Sequence, residues 1–65
     1  MKDIAEITKQ LENKDSGIRR SAAELLGSTE DETVIDALIP VLKDENRLVR
    51  QEVVLALTQT KTTRP

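Results

Sequence analysis

Cysteine and histidine are both absent from this 65-residue chain, and so are phenylalanine, tryptophan and tyrosine. Without cysteine there is no disulfide staple, no thiolate nucleophile and no Cys-based metal site. Without histidine the Ser-His and Cys-His pairs, the usual zinc ligand sets and the one side chain that titrates near neutrality are gone as well. The missing rings leave little to stack on bases or to cage a cationic ligand, and they restrict the core to Leu, Ile, Val and Ala. An excess of one charge is lacking too: 10 basic and 12 acidic residues give a formal charge of −2, no footprint for a phosphate backbone. Apolar runs are only a few residues long and Met1-Lys2-Asp3 leads straight into an acidic helix pattern, so neither a membrane span nor a signal peptide is expected, and the default location is cytoplasmic. The two glycines are isolated, so there is no phosphate-cradling loop. These absences point away from an enzyme, a metal, a cofactor or a small-molecule ligand and leave a protein-binding role. A chain this short buries only about 60% of its unfolded surface, and it gains from anything that covers more.

What the sequence does have is an internal period. At an offset of 31 residues and with no gap, Ile4 falls on Ile35, Leu11 on Leu42, Arg19 on Arg50, Leu26 on Leu57 and Thr29 on Thr60, while Ile7 meets Leu38 and Ile18 meets Val49. The matches are mostly apolar residues at helical spacing plus one arginine, where a shared core needs them, rather than scattered over the surface.

Each unit reads as two helices. Ile4, Ile7 and Leu11 recur at spacings of three and four, one face of an amphipathic helix from about Asp3 to Asn13. Lys14-Asp15-Ser16-Gly17 is turn chemistry, and Asp15 or Ser16 can cap a second helix carrying Ile18, Ala22, Ala23, Leu25 and Leu26. Gly27 stands where a left-handed residue would close that helix. Thr29-x-x-Glu32 offers a capping box for the third helix, with Asp31 an equal candidate. That helix carries Val34, Ile35, Leu38, Ile39, Val41 and Leu42, and Pro40 inside it predicts a bend or break at the preceding turn. Lys43-Asp44-Glu45-Asn46 turns the chain again, with Asn46 where Asp15 stood as cap, and the fourth helix runs from about Arg47 to Thr58. The resulting fold class is all-α: a single domain over 1–60 with repeat one over about 3–27, repeat two over about 31–58, and a polar, disordered tail over 59–65.

The segments Asp15-Ser16-Gly17-Ile18-Arg19-Arg20-Ser21-Ala22-Ala23-Glu24-Leu25-Leu26-Gly27 and Asp44 to Leu57 resemble the Asp-rich turn, Val-Arg and Ala-Ala-x-x-Leu-Gly pattern of short HEAT-like repeats, nearest to the variety of the phycobilisome lyases. The resemblance covers residues 3 to 58 and departs from the pattern at Thr58, where the glycine matching Gly27 would stand, and in having two units only. It implies two helical hairpins (four helices) stacked as a short right-handed solenoid whose second helices line a concave face. It also implies that Arg19 and Arg50 pair with acidic or amide turn residues of the same or neighbouring unit, here Asp15, Asp44 and Asn13. A guanidinium can make several hydrogen bonds to carboxylates and open carbonyls, so Arg19, Arg50, Asp15, Asp44 and Asn46 are expected to form a structural turn ladder rather than a ligand site. Arg20 is expected to be offset by Glu24, one turn below it. The cluster Glu30-Asp31-Glu32 with Asp36 is explained by the helix dipole without a metal.

The last helix is the least ordinary. At roughly 100° per residue with Leu48 at zero, Ala56, Val49, Val53 and Leu57 span about 80° to 180° and make a buried stripe. Leu55, Leu48 and Val54 lie outside it, near about 340°, 0° and 240°, where repeat one has Glu24, Gly17 and Ala23. Terminal units of a solenoid usually carry a polar outer face, and this one does not. Leu48, Val54, Leu55 and Gln51 are therefore the candidate interface, covered either by a protein partner or by a second copy in a twofold homodimer. Two other roles are carried as alternatives: a lyase-like or chaperone-like subunit acting on a bilin protein, suggested by the resemblance, and DNA binding on the concave face.

Overall fold

A computed structural model describes residues 4–29 and 33–59. The capping candidates Asp31 and Glu32, the cluster Glu30-Asp31-Glu32 and residues 60–65 of the tail expected over 59–65 lie outside the described residues, while Gln59 is helical rather than part of a disordered tail. Among the described residues there are four α-helices: α1 (Ile4–Gln10), α2 (Ser16–Gly27), α3 (Thr33–Leu38) and α4 (Arg47–Gln59). A 3-10 helix, Ile39–Lys43, continues directly from α3.

Helix α1 stops at Gln10, and the next three amides tighten onto carbonyls three residues back: Leu11 on Thr8, Glu12 on Lys9 and Asn13 on Gln10. The turn that follows holds itself with side chains. The Asn13 amide oxygen accepts from the Asp15 N–H at 2.8 Å, and the Asp15 carboxylate accepts from the Gly17 N–H at 2.7 Å, which makes Asp15 the cap of α2. At the far end of α2 no residue is left-handed. Gly27 stays helical instead, because Ser28 and Thr29 close the helix. Their N–H groups donate to the Leu25 and Leu26 carbonyls and their hydroxyls to those of Glu24 and Leu25. Thr29 thus helps to close α2, and the Glu32 half of its expected capping box lies outside the described residues. Thr58, at the position matching Gly27, lies inside the last turn of α4, its hydroxyl donating to the Leu55 carbonyl at 2.8 Å.

Pro40 acts as its chemistry predicts. It cannot donate to the Asp36 carbonyl and its ring crowds that group, so α3 ends at Leu38 and the chain tightens into the 3-10 segment. The Asp44 N–H then bonds the Val41 carbonyl, and Asn46 caps α4 by accepting from the Leu48 and Val49 N–H groups at 2.8 and 3.2 Å.

The helices pair as two hairpins, α1 with α2 and α3 plus the 3-10 segment with α4, and α2 lies along α4 in the most extensive contact of the structure. Their shared core is wholly aliphatic. Leu26, Leu38, Val34, Val49 and Val53 are fully buried, joined by Ala22, Ala23, Ala56, Ile7 and Leu11. Complete burial of each large side chain stabilises by roughly 1.5–3 kcal/mol. Four apolar residues with helical spacing are not core: Ile18, Leu25, Ile39 and Leu42 are exposed. A stripe of apolar residues says that a helix is amphipathic, but not whether the next element is there to cover it.

Candidate functional site

Two features stand out above the core: a polar ladder at the turns and an apolar face on α4. The ladder centres on Arg19, which sits one helical turn into α2 and is 9% exposed. Its Nη1 donates to the Asn13 and Lys14 carbonyls at 2.8 and 3.1 Å, two groups left open where α1 ends. Its Nε and Nη2 grip the Asp44 carboxylate across the two units at 2.7 and 3.0 Å, a bidentate, charge-assisted pair. Asp44 also accepts from the Asn46 N–H at 2.8 Å, while the Arg50 Nη1 donates to the Asp44 backbone carbonyl at 2.7 Å. Burial pushes the Asp44 carboxyl up, but the hydrogen bonds from Arg19 and the Asn46 N–H, with the charges of Arg19 and Arg50, outweigh it and hold the group below the usual carboxylate range. The hydrogen bond to Asp44 raises the Arg19 guanidinium against the opposing effect of desolvation.

The repeat is written into these bonds. Asn13 to Asp15 N–H, Asp15 to Gly17 N–H and Arg19 to the carbonyl six residues earlier recur, 31 residues on, as Asp44 to Asn46 N–H, Asn46 to Leu48 N–H and Arg50 to the carbonyl six residues earlier. Of the partners expected for Arg19, Asp44 binds through its side chain and Asn13 through its backbone. Asp15 contributes only its charge, because its carboxylate is occupied at the cap. Arg20 reaches across to Glu52 of α4 at 3.9 Å rather than down its own helix to Glu24. That pair is largely solvent-exposed on the arginine side and adds little to stability.

The apolar face lies on the side of α4 away from the core. Leu48, Val54 and Leu55 are 52%, 50% and 52% exposed, and Gln51 with Val54 and Leu55 lines a shallow apolar hollow. Ile39 and Leu42 add exposed apolar surface from the 3-10 segment. Sequence periodicity placed those two with the core. The period would not have found them, since Leu42 is the 31-residue counterpart of Leu11, which is buried. Asp36 is exposed, and among the described residues no group of three acidic side chains is arranged to hold a metal ion. No helix among the described residues is long and apolar enough to cross a membrane.

Two hairpins built on one hydrogen-bonding plan and joined by a guanidinium that binds both turns define a helical repeat protein. The family model of HEAT repeats matches residues 4–65, and the chain belongs to that family. The match is to HEAT repeats in general and does not distinguish the phycobilisome-lyase variety. Neither the curated proteins nor the solved structures gave a match. HEAT repeats are commonly protein-interaction modules, and the family is generally non-enzymatic.

Proposed function

We propose that this chain is a non-enzymatic protein-interaction module that associates with a second copy of itself through the open side of its C-terminal repeat, formed by Leu48, Gln51, Val54 and Leu55. The observation that carries this reading is the trio of half-exposed aliphatic side chains on one helix side. Only uncharged Gln51 and Thr58 lie between them, with Arg47 at one end. An uncharged central stripe can meet its own symmetry mate without opposing like charges, as a twofold interface requires. Repeat one has Gly17, Ala23 and Glu24 at the corresponding positions and carries no such surface. No feature of the described residues favours a chromophore protein or duplex DNA over a protein partner. Sedimentation across micromolar to millimolar protein tests the proposal. A concentration-dependent dimer is expected, and a monomer throughout that range overturns self-association.

A further inference from the structure

Helices α2 and α4 lie side by side and run in the same direction. Arg19, one turn into α2, holds Asp44 just before α4, and Arg20 reaches Glu52 further along. Residues 31 apart therefore stand level, and each helix turns one line of them to solvent on the same side. On α4 this line holds Leu48, Gln51 and Leu55; on α2 it holds their counterparts Gly17, Arg20 and Glu24, all exposed. The α2 line stays open although a second unit lies beside it, so this face takes no part in the contact between one unit and the next.

Gly17 is the odd member. Its φ is not positive, so the backbone does not require a glycine. Nor does the cap require one. Asp15 accepts from the Gly17 N–H at 2.7 Å, and Asn46 accepts from the Leu48 N–H at 2.8 Å in the same arrangement. A Cβ at Gly17 would stand 3.1 Å from the Asp15 Oδ1, which is close, yet Leu48 shows that a helix capped in this way takes a full side chain. The face thus carries a notch of bare backbone on α2 and, level with it on α4, a half-exposed leucine.

We propose that this face is self-complementary: in a twofold dimer α4 of each copy packs on α2 of the other, with Leu48 seated in the notch at Gly17. An axis running along the helices, midway between α2 and α4, brings level residues together in this way. Gln51 then lies over Arg20 of the second copy and Leu55 over the aliphatic stem of Glu24. Charge is matched too, because each Arg20 comes beside Glu52 of the other copy. Packing α4 on α4 achieves neither match. With the axis across the helices, Arg20 would face Arg20 and Glu52 would face Glu52; with the axis along α4, the α2 of each copy would be left uncovered. The inference rests on the self-association reading and specifies what the stripe meets, which is α2 of the second copy rather than its own counterpart.

The chain has no cysteine, so Ser28→Cys at the exposed end of α2 accepts a single nitroxide. Spin-labelled protein is mixed at millimolar concentration with isotope-labelled protein of unaltered sequence, and only contacts between copies broaden the amide signals of the latter. Leu55 and Thr58 are expected to broaden and Leu48 to be spared. Gly17→Leu in both proteins should abolish the broadening, and Gly17→Leu with Leu48→Gly, which exchanges knob and notch, should restore it. As a measurement independent of Gly17, Arg20→Glu protein mixed with Glu52→Arg protein should associate where neither does alone. Broadening centred on Leu48 overturns the parallel arrangement, and broadening that survives Gly17→Leu undiminished overturns the contact at the notch; both leave self-association intact. Equal association of the two charge variants, alone and mixed, overturns the exchange of Arg20 and Glu52 between copies. No broadening at all overturns this proposal and self-association together.

Discussion

Glutamate in place of Leu55 separates association from folding. Leu55 is 52% exposed, and covering the remaining half of a leucine stabilises by about 1 kcal/mol, half the value for complete burial. Leu48, Val54 and Leu55 from two copies together offer about 6 kcal/mol, close to the lower end of the roughly 4–15 kcal/mol that association costs. At the low end of that cost about 2 kcal/mol remains, a dissociation constant of tens of millimolar, so the dimer is weak and shows as a small associated fraction at the millimolar end of the concentration range. Leu55→Glu removes one side chain from each copy, about 2 kcal/mol or 30-fold, and sets two carboxylates in the same apolar contact, so the dimer is expected to vanish. The monomer fold should not notice. Glu24 already occupies the corresponding place on α2 and is exposed there, and substitution at such a surface site changes stability by about 0.5 kcal/mol or less. Sedimentation velocity gives the first quantity and thermal unfolding followed by circular dichroism the second. A dimer that persists in Leu55→Glu at unchanged affinity would refute the assignment of this face.

Three further outcomes follow from the ladder, the cap and the repeat. Asp44 is held below the usual carboxylate range in the folded protein, so its contribution to stability is fully present above its unfolded value of about 3.9 and is lost as pH falls through the lower folded value. Asp44→Asn should therefore lower the unfolding midpoint at pH 7 and flatten its decline below about pH 4, and an unchanged acid limb of the pH profile would contradict this. Asn46→Ala removes the acceptor of two N–H bonds at the start of α4 and should cost about 1 kcal/mol in urea unfolding; no loss would mean that water caps the helix as well. Val49→Ala and Ile18→Ala change residues 31 apart in the repeat, yet the first empties a fully buried site and should cost about 1.5–3 kcal/mol, against about 1 kcal/mol or less for the second, which is 38% exposed. Equal costs would argue against the burial pattern.

Much of the architecture was legible because the repeat constrains it twice. Ile7 and its counterpart Leu38 are both buried, Arg19 and Arg50 both hold the carbonyl six residues earlier, and Pro40 marks its own break in α3. Reach was harder to read than position. Arg20 has a glutamate four residues on in its own helix and a second one only in three dimensions, and sequence spacing shows the first while the fold supplies the second, Glu52. Ile18 and Leu25 have helical spacing and still face outward, because hydrophobic period reports the helix and not its neighbours. Gly27 suggested a left-handed closure, but Ser28 and Thr29 satisfy the last carbonyls of α2 and remove the need for one. The exposure of Leu48, Val54 and Leu55 followed from the helical wheel of α4.

Arg19 also bears on how the protein comes apart. One guanidinium binds the carbonyls that end α1 and the carboxylate that precedes α4, so neither turn can open without breaking bonds that belong to the other. Coupling between neighbouring units is what makes a linear array unfold as a whole rather than piecewise. In this chain the two hairpins should melt in a single cooperative step, with amides of the two turns exchanging with solvent at matching rates. An Arg19→Gln protein should turn that one event into two, with the first hairpin loosening while the second holds.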